Sequence, residues 1–236
     1  MEWRAGYLDM ILVPLGITLC SVYHVWLWRV IKSRPHTTDV GVNSAAQRRW
    51  AVAMIEENGK KHMVVVQSIR NAIMASTLMA TTSILLCTGL AAILSSTYSV
   101  KKPLNSSLYG AHQDFMIYLK FVTLLFVFLL TFICYTLSIR IMNQACFLIN
   151  IPNIGDEHER DPAITVGYIC DTLNKGFLLH GVGNRLFYAA IPLLLWMLGP
   201  SLVFCCYLIM LPMFYATDIV RASDAEEEPR KIYTGV

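Results

Sequence analysis

Four stretches of this chain are long and apolar enough to cross a lipid bilayer, and they constrain its fold more than any other feature. A helix needs about 20 mostly apolar residues to traverse ~30 Å of hydrocarbon. The stretches run from about Met10 to Ile31, Ala72 to Leu94, Leu119 to Ile139 and Leu186 to Tyr215, the last containing Pro192, Gly199-Pro200 and Pro212. With 56% hydrophobic and 15% charged residues and a mean hydropathy of +0.51, the chain carries too little charge to wet a soluble globule; such a domain is about 25% charged. The expected fold is all-α, a membrane protein of four transmembrane helices with additional amphipathic helices on the cytosolic side. Residues 1–217 form its single membrane domain and residues 218–236 an acidic tail.

Charge sets the expected orientation. Glu2, Arg4 and Asp9 precede the first span with net negative charge, whereas Arg29, Lys32 and Arg34 follow it. The span is too long for a signal-peptide core, and no small-residue cleavage pattern follows, so it reads as an uncleaved signal anchor. Positive charge favours the cytosolic side, and twelve of the nineteen Lys and Arg residues fall on the Arg29 side. Four spans then place both termini and the Tyr98–Asp114 loop outside the cytosol, in the plasma membrane or an endomembrane. Asn105-Ser106-Ser107 in that loop is a glycosylation candidate.

Several function classes find no support. A net charge of +3 without a basic stripe gives no reason to expect nucleic acid. Seven cysteines form no CxxC pair, and no metal site is expected. His24 alone lies well within a span, which leaves haem without paired ligands. No catalytic or nucleotide-binding motif occurs, so no cofactor is expected and a membrane enzyme is only a minor alternative.

The second span is the most informative. Gln67, Asn71, Thr77, Thr81 and Thr88 trace one helical stripe, while Ala72, Ser76 and Ala80 form a second stripe of small residues. Small residues at four-residue spacing let helices approach closely. The hydroxyls either bond back to their own backbone or line a water-filled path, since hydrocarbon offers them nothing. Arg29, Arg70, Arg140 and Arg185 sit near the cytosolic ends of the four spans, where arginines orient a helix and snorkel to head groups. Arg70 has Gln67 and Asn71 beside it and Arg140 has Asn143, so several subunits together would give an anion-favouring pore mouth. Phe121, Phe126, Phe128, Phe132 and Tyr135 crowd the third span, so a conduit must run between protomers. These residues lead to an expectation: a homo-oligomer in lipid that passes small solutes, anions favoured, through a path lined by Thr77, Thr81 and Thr88. The alternative is a non-conducting scaffold whose cytosolic helices bind a protein partner or anionic lipid.

Other features admit two readings each. Ser44, with Gln47 three positions on, is expected to cap a short helix carrying Arg48, Arg49 and Trp50, destined for the membrane interface or for the protein's own cytosolic side. The stretch Ala163–Leu179 has helical periodicity but is rich in polar residues, and is expected to lie along the cytosolic face. Pro192, Gly199 and Pro200 form a candidate hinge in the fourth span. Asp9 reads as interfacial and Trp196 as a packing residue.

The segments Gln67–Thr77, Cys146–Pro152 and Phe187–Trp196 resemble a plant family of small integral membrane proteins, with bacterial relatives, catalogued as a domain of unknown function. The likeness runs from about Tyr7 to Tyr215, and Arg70-Asn71-Ala72-Ile73-Met74-Ala75 is its most specific part. It implies a four-helix membrane fold and a plant origin, and supplies no catalytic residue, ligand or cofactor.

Overall fold

The computed structural model describes residues 2–56, 62–100, 114–150 and 166–220. They form six α-helices: α1 (Glu2–Ser33), α2 (Asp39–Glu56), α3 (His62–Val100), α4 (Asp114–Ile149), α5 (Val166–Leu195) and α6 (Pro200–Asp218). A 3-10 turn, Pro35–Thr37, joins α1 to α2. Among the described residues the one extended pairing is an antiparallel bridge between Thr38 and Ile219.

Five helices, α1 and α3 to α6, are long and apolar enough to cross a membrane, against the four expected. The difference lies in residues 163–215. The single span expected over 186–215 is broken: α5 ends at Leu195, Trp196–Leu198 turn, and α6 starts at Pro200. Pro200 lacks the N–H that would continue a helix and instead fills the first position of the next. Upstream, the polar stretch expected to lie apart on the cytosolic face is the first half of α5, continuous with its apolar second half. Its polar groups are tolerated because they meet partners on other helices, as Asn174 Oδ1 does by accepting the Ser44 hydroxyl of α2 at 2.9 Å.

Helices α3, α4 and α5 pack antiparallel in succession, and α6 doubles back along α5 and lies parallel to α1. At one end of the bundle Asp9 (α1) meets Lys120 (α4) and Trp196. Towards the other, Tyr23 (α1) meets Asp218 (α6), and the Val220 N–H donates to the Thr37 carbonyl at 3.1 Å. Residues 9 and 218 therefore lie towards opposite ends of the bundle, whereas four spans would have returned the chain to the end where it started.

The interior has two stories. One cluster, including Val13, Cys87, Leu124, Leu193 and Val203, joins α1, α3, α4, α5 and α6. A second, including Ala51, Ile69, Met142 and Leu173, joins α2 to α3, α4 and α5. With 39 and 36 residues, α3 and α4 are about 58 and 54 Å long, enough to carry a second core beyond a ~30 Å hydrocarbon slab.

The cap of the amphipathic helix is corrected. Helix α2 begins at Asp39, and Thr38 caps it, its Oγ1 accepting the Gly41 N–H at 3.3 Å. The 3-10 turn started by Pro35 delivers Thr38 to the capping position, and Asp39 then faces the positive helix end. Ser44, expected as the cap, lies in the second turn and donates to Asn174 Oδ1 on α5 at 2.9 Å.

Candidate functional site

The two stripes of the second span face different ways on α3. Ser76, Ala80, Ser83 and Cys87 are buried towards the other helices, while Thr77, Thr81 and Thr88 are exposed on the outer face. Each of these threonines donates to a carbonyl of its own helix: Thr77 to Ile73 at 2.8 Å, Thr81 to Thr77 at 2.9 Å and Thr88 to Leu85 at 3.0 Å. Back-bonding satisfies the hydroxyl hydrogen and leaves the oxygen an accepting lone pair. Gln67, Arg70 and Asn71 are exposed towards the start of α3. Cys87 Sγ lies 3.9 Å from the Leu125 carbonyl, which sets the antiparallel register of α3 and α4. Arg70 and Arg140 stand about equally far down the two helices from that point. Arg140 and Asn143 are likewise exposed.

Ionisable side chains gather elsewhere. The Asp9 carboxylate is buried on α1, receiving Trp196 Nε1–H at 2.9 Å and Lys120 Nζ at 3.3 Å. Lys120 also donates to the Trp196 carbonyl at 3.3 Å, an acceptor that the chain break before α6 leaves without an intrahelical N–H. Asp9 is therefore enclosed by other helices, and Trp196 is a hydrogen-bond donor as well as a packing residue. Towards the opposite end, Arg185 on α5 forms a two-pronged pair with Asp218, which also accepts the Tyr23 hydroxyl at 2.6 Å. Arg185 thus bridges helices instead of snorkelling alone to head groups.

Further polar contacts hold α5 in place. Tyr135 donates to Asn184 Oδ1 at 2.5 Å, and Ser76 Oγ lies 2.8 Å from His180 Nδ1. Lys120, His180, Asn184 and Asp218 did not stand out in the sequence, and Tyr135 stood out only as aromatic bulk. The available signal was Lys120, the lone charge between Leu119 and Ile139.

Helix α2 is docked on the protein itself. Ala51 is buried, Arg48 makes an exposed pair with Asp171 at 3.3 Å, and Arg49 is exposed. Trp50 lines a cavity with Ile69 and Phe177. Of the hinge candidates, Pro192 is buried inside α5, and Gly199 and Pro200 form the α5–α6 break. Asn105 and the acidic run of the tail lie outside the described residues. Among the described residues, no three His, Cys, Asp or Glu side chains converge as a metal site requires.

A family model described as "Protein of unknown function, DUF599" matches residues 11–223. No curated protein and no solved structure matches the chain.

Proposed function

Because the chain belongs to the DUF599 family, whose description assigns no activity, we propose a function from its residues: an oligomeric multi-pass membrane protein that passes small solutes, with anions as the favoured class. One observation carries the reading. The outer face of α3 presents Gln67, Arg70, Asn71, Thr77, Thr81 and Thr88 together, directed away from the protomer's own core. Acyl chains offer the threonine oxygens no donor, whereas facing copies of α3 would enclose water between them, with Gln67, Arg70 and Asn71, beside Ile69 of the second core, at its end. Hydroxyl oxygens would then line the path, and Arg70 and Arg140 would set a positive potential at one mouth.

The orientation belongs to the same proposal. With α6 ending at the Arg29 end, the tail leaves from that side, which gives it fifteen of the nineteen Lys and Arg residues. That end faces the cytosol. We further propose a plant source, as the resemblance implies, and residence in the plasma membrane or an endomembrane. The scaffold reading has less support, because Arg48 and Trp50 are engaged with α5 and α3 of the same chain.

Purified protein in liposomes and planar bilayers under a salt gradient tests the passage. Flux with anion preference is expected, reduced in Thr81→Leu. Absence of conductance and flux in the wild type, or a strict monomer in native lipid, overturns it. Gly89→Leu locates the interface: a Cβ there meets nothing within 4 Å in the protomer, so folding should survive while assembly and flux fall.

A further inference from the structure

We infer that the groove between α1 and α6 binds one anionic phospholipid from the leaflet at the Arg29 end. The groove has a volume of about 520 Å³ and is walled by Leu19, Val22 and Trp26 of α1 and by Leu211 and Tyr215 of α6. Its walls belong to apolar helices long enough to span a membrane, so an acyl chain is the natural filling. The Trp26 and Tyr215 rings stack with centroids 6.0 Å apart at the Arg29 end of the groove, where amphipathic aromatics suit the head-group level.

Charge follows one turn further on. Arg29 lies three positions beyond Trp26 and seven beyond Val22, on the same side of α1. Arg34, at the end of the helix, lies on the other side of the line through Leu19, Trp26 and Val30. Both arginines are exposed. They therefore flank the groove mouth at the level of a phosphate whose acyl chain occupies the groove. Among the described residues at this end, the Asp218 carboxylate is paired with Arg185 and accepts from Tyr23, and Asp39 accepts from Asn43 Nδ2 at 2.9 Å. Lys32 differs, since its ammonium sits 3.9 Å over the Trp28 ring, on the opposite side of α1.

Native mass spectrometry of the full chain, released from nanodiscs holding equal phosphatidylglycerol and phosphatidylcholine with identical acyl chains, tests the site. The wild type should retain one phosphatidylglycerol per protomer in preference to phosphatidylcholine. Arg29→Gln and Arg34→Gln should each weaken that preference about fivefold, as expected for one basic residue near an anionic surface. Lys32→Gln should leave it unchanged. Leu211→Trp, which fills the groove, should remove both lipids. Equal loss in Lys32→Gln, or unchanged preference in the Arg29→Gln/Arg34→Gln double variant, overturns the proposal. Displacement of the lipid by soluble glycerol phosphate would also overturn it, showing an anion site without a groove. So would a Leu211→Trp chain that changes oligomeric mass with lipid retention intact, because the groove would then hold another copy.

Discussion

The Lys120 ammonium lies 3.3 Å from the Asp9 carboxylate, joining α4 to α1 across 111 positions of sequence inside the bundle. Side-chain exposure is 9% for Lys120 and 0% for Asp9, so their mutual attraction is screened little by water. The same ammonium reaches the Trp196 carbonyl, and the same carboxylate accepts the Trp196 indole N–H. One ion pair therefore fastens three helices and closes the broken end of α5.

Removing one charge should cost far more than removing both. Lys120→Met leaves a buried carboxylate and Asp9→Asn a buried ammonium, each expected to destabilise by about 3–5 kcal/mol. The double variant Asp9→Asn/Lys120→Met removes both members of this pair and should recover part of the loss. Thermal unfolding in detergent across the four proteins measures the coupling. Additive losses would show that the two charges act independently.

Asp218 should hold the end of α6. Its carboxylate bridges Arg185 and Tyr23, and the backbone beyond it is tied to the first connection by the Val220 N–H bond to Thr37. Tyr23→Phe deletes one hydrogen bond to a charged acceptor, worth about 1.5 kcal/mol at this partly exposed position. Asp218→Asn should cost more, because it leaves the Arg185 guanidinium without its counter-charge. Hydrogen exchange should accelerate at Ile219 and Val220 in both variants, and more in Asp218→Asn. Unchanged exchange in both would mean that apolar contacts alone dock this end.

Particular residues show what the sequence could and could not disclose. The α1, α3 and α4 spans are legible because their apolar runs need no knowledge of neighbours. The small and hydroxyl stripes of α3 are legible for a similar reason, since helical periodicity alone separates Ser76 from Thr77. Helix α5 is different. Its first two thirds hold Asn174, His180 and Asn184, which hydropathy counts as cost although Ser44, Ser76 and Tyr135 partner them. Gly199-Pro200 was visible as an interruption, but whether the chain bends or reverses there depends on Asp9 and Lys120, far away in sequence. Ser44 had the residue type of a cap, yet Thr38 had the position, which the preceding 3-10 turn decides.

Glycines should separate close packing from open surface. A Cβ at Gly183 would lie 3.0 Å from Tyr135 Cε1, against a ring fixed by its bond to Asn184. At Gly176 it would lie 2.8 Å from Cγ of the fully buried Met142, close to the root of that side chain. Gly183→Ala should therefore cost about 1–3 kcal/mol by overpacking, and Gly176→Ala at least as much. Gly89→Ala meets nothing and should be neutral or stabilise by up to about 1 kcal/mol, the helix-propensity gain. Thermal unfolding of the three variants checks the order. A Gly89→Ala loss as large as that of Gly183→Ala would place an unseen neighbour against α3.

The ends of the chain should lie on opposite faces of the membrane. Helix α1 runs parallel to α6, with Asp9 near Trp196 and Tyr23 beside Asp218, so an odd number of crossings separates the segment before α1 from the segment after α6. Two epitopes, one fused at each terminus, should differ in protease sensitivity in sealed vesicles, whichever way the vesicles are oriented. Leu198, 58% exposed in the α5–α6 turn, supplies a third marker. In a cysteine-free chain, Leu198→Cys should react with an impermeant maleimide only from the side of the N-terminal epitope. Matching sensitivity of both epitopes would mean that α5 and α6 do not both cross, and the parallel pairing of α6 with α1 would then have to be abandoned.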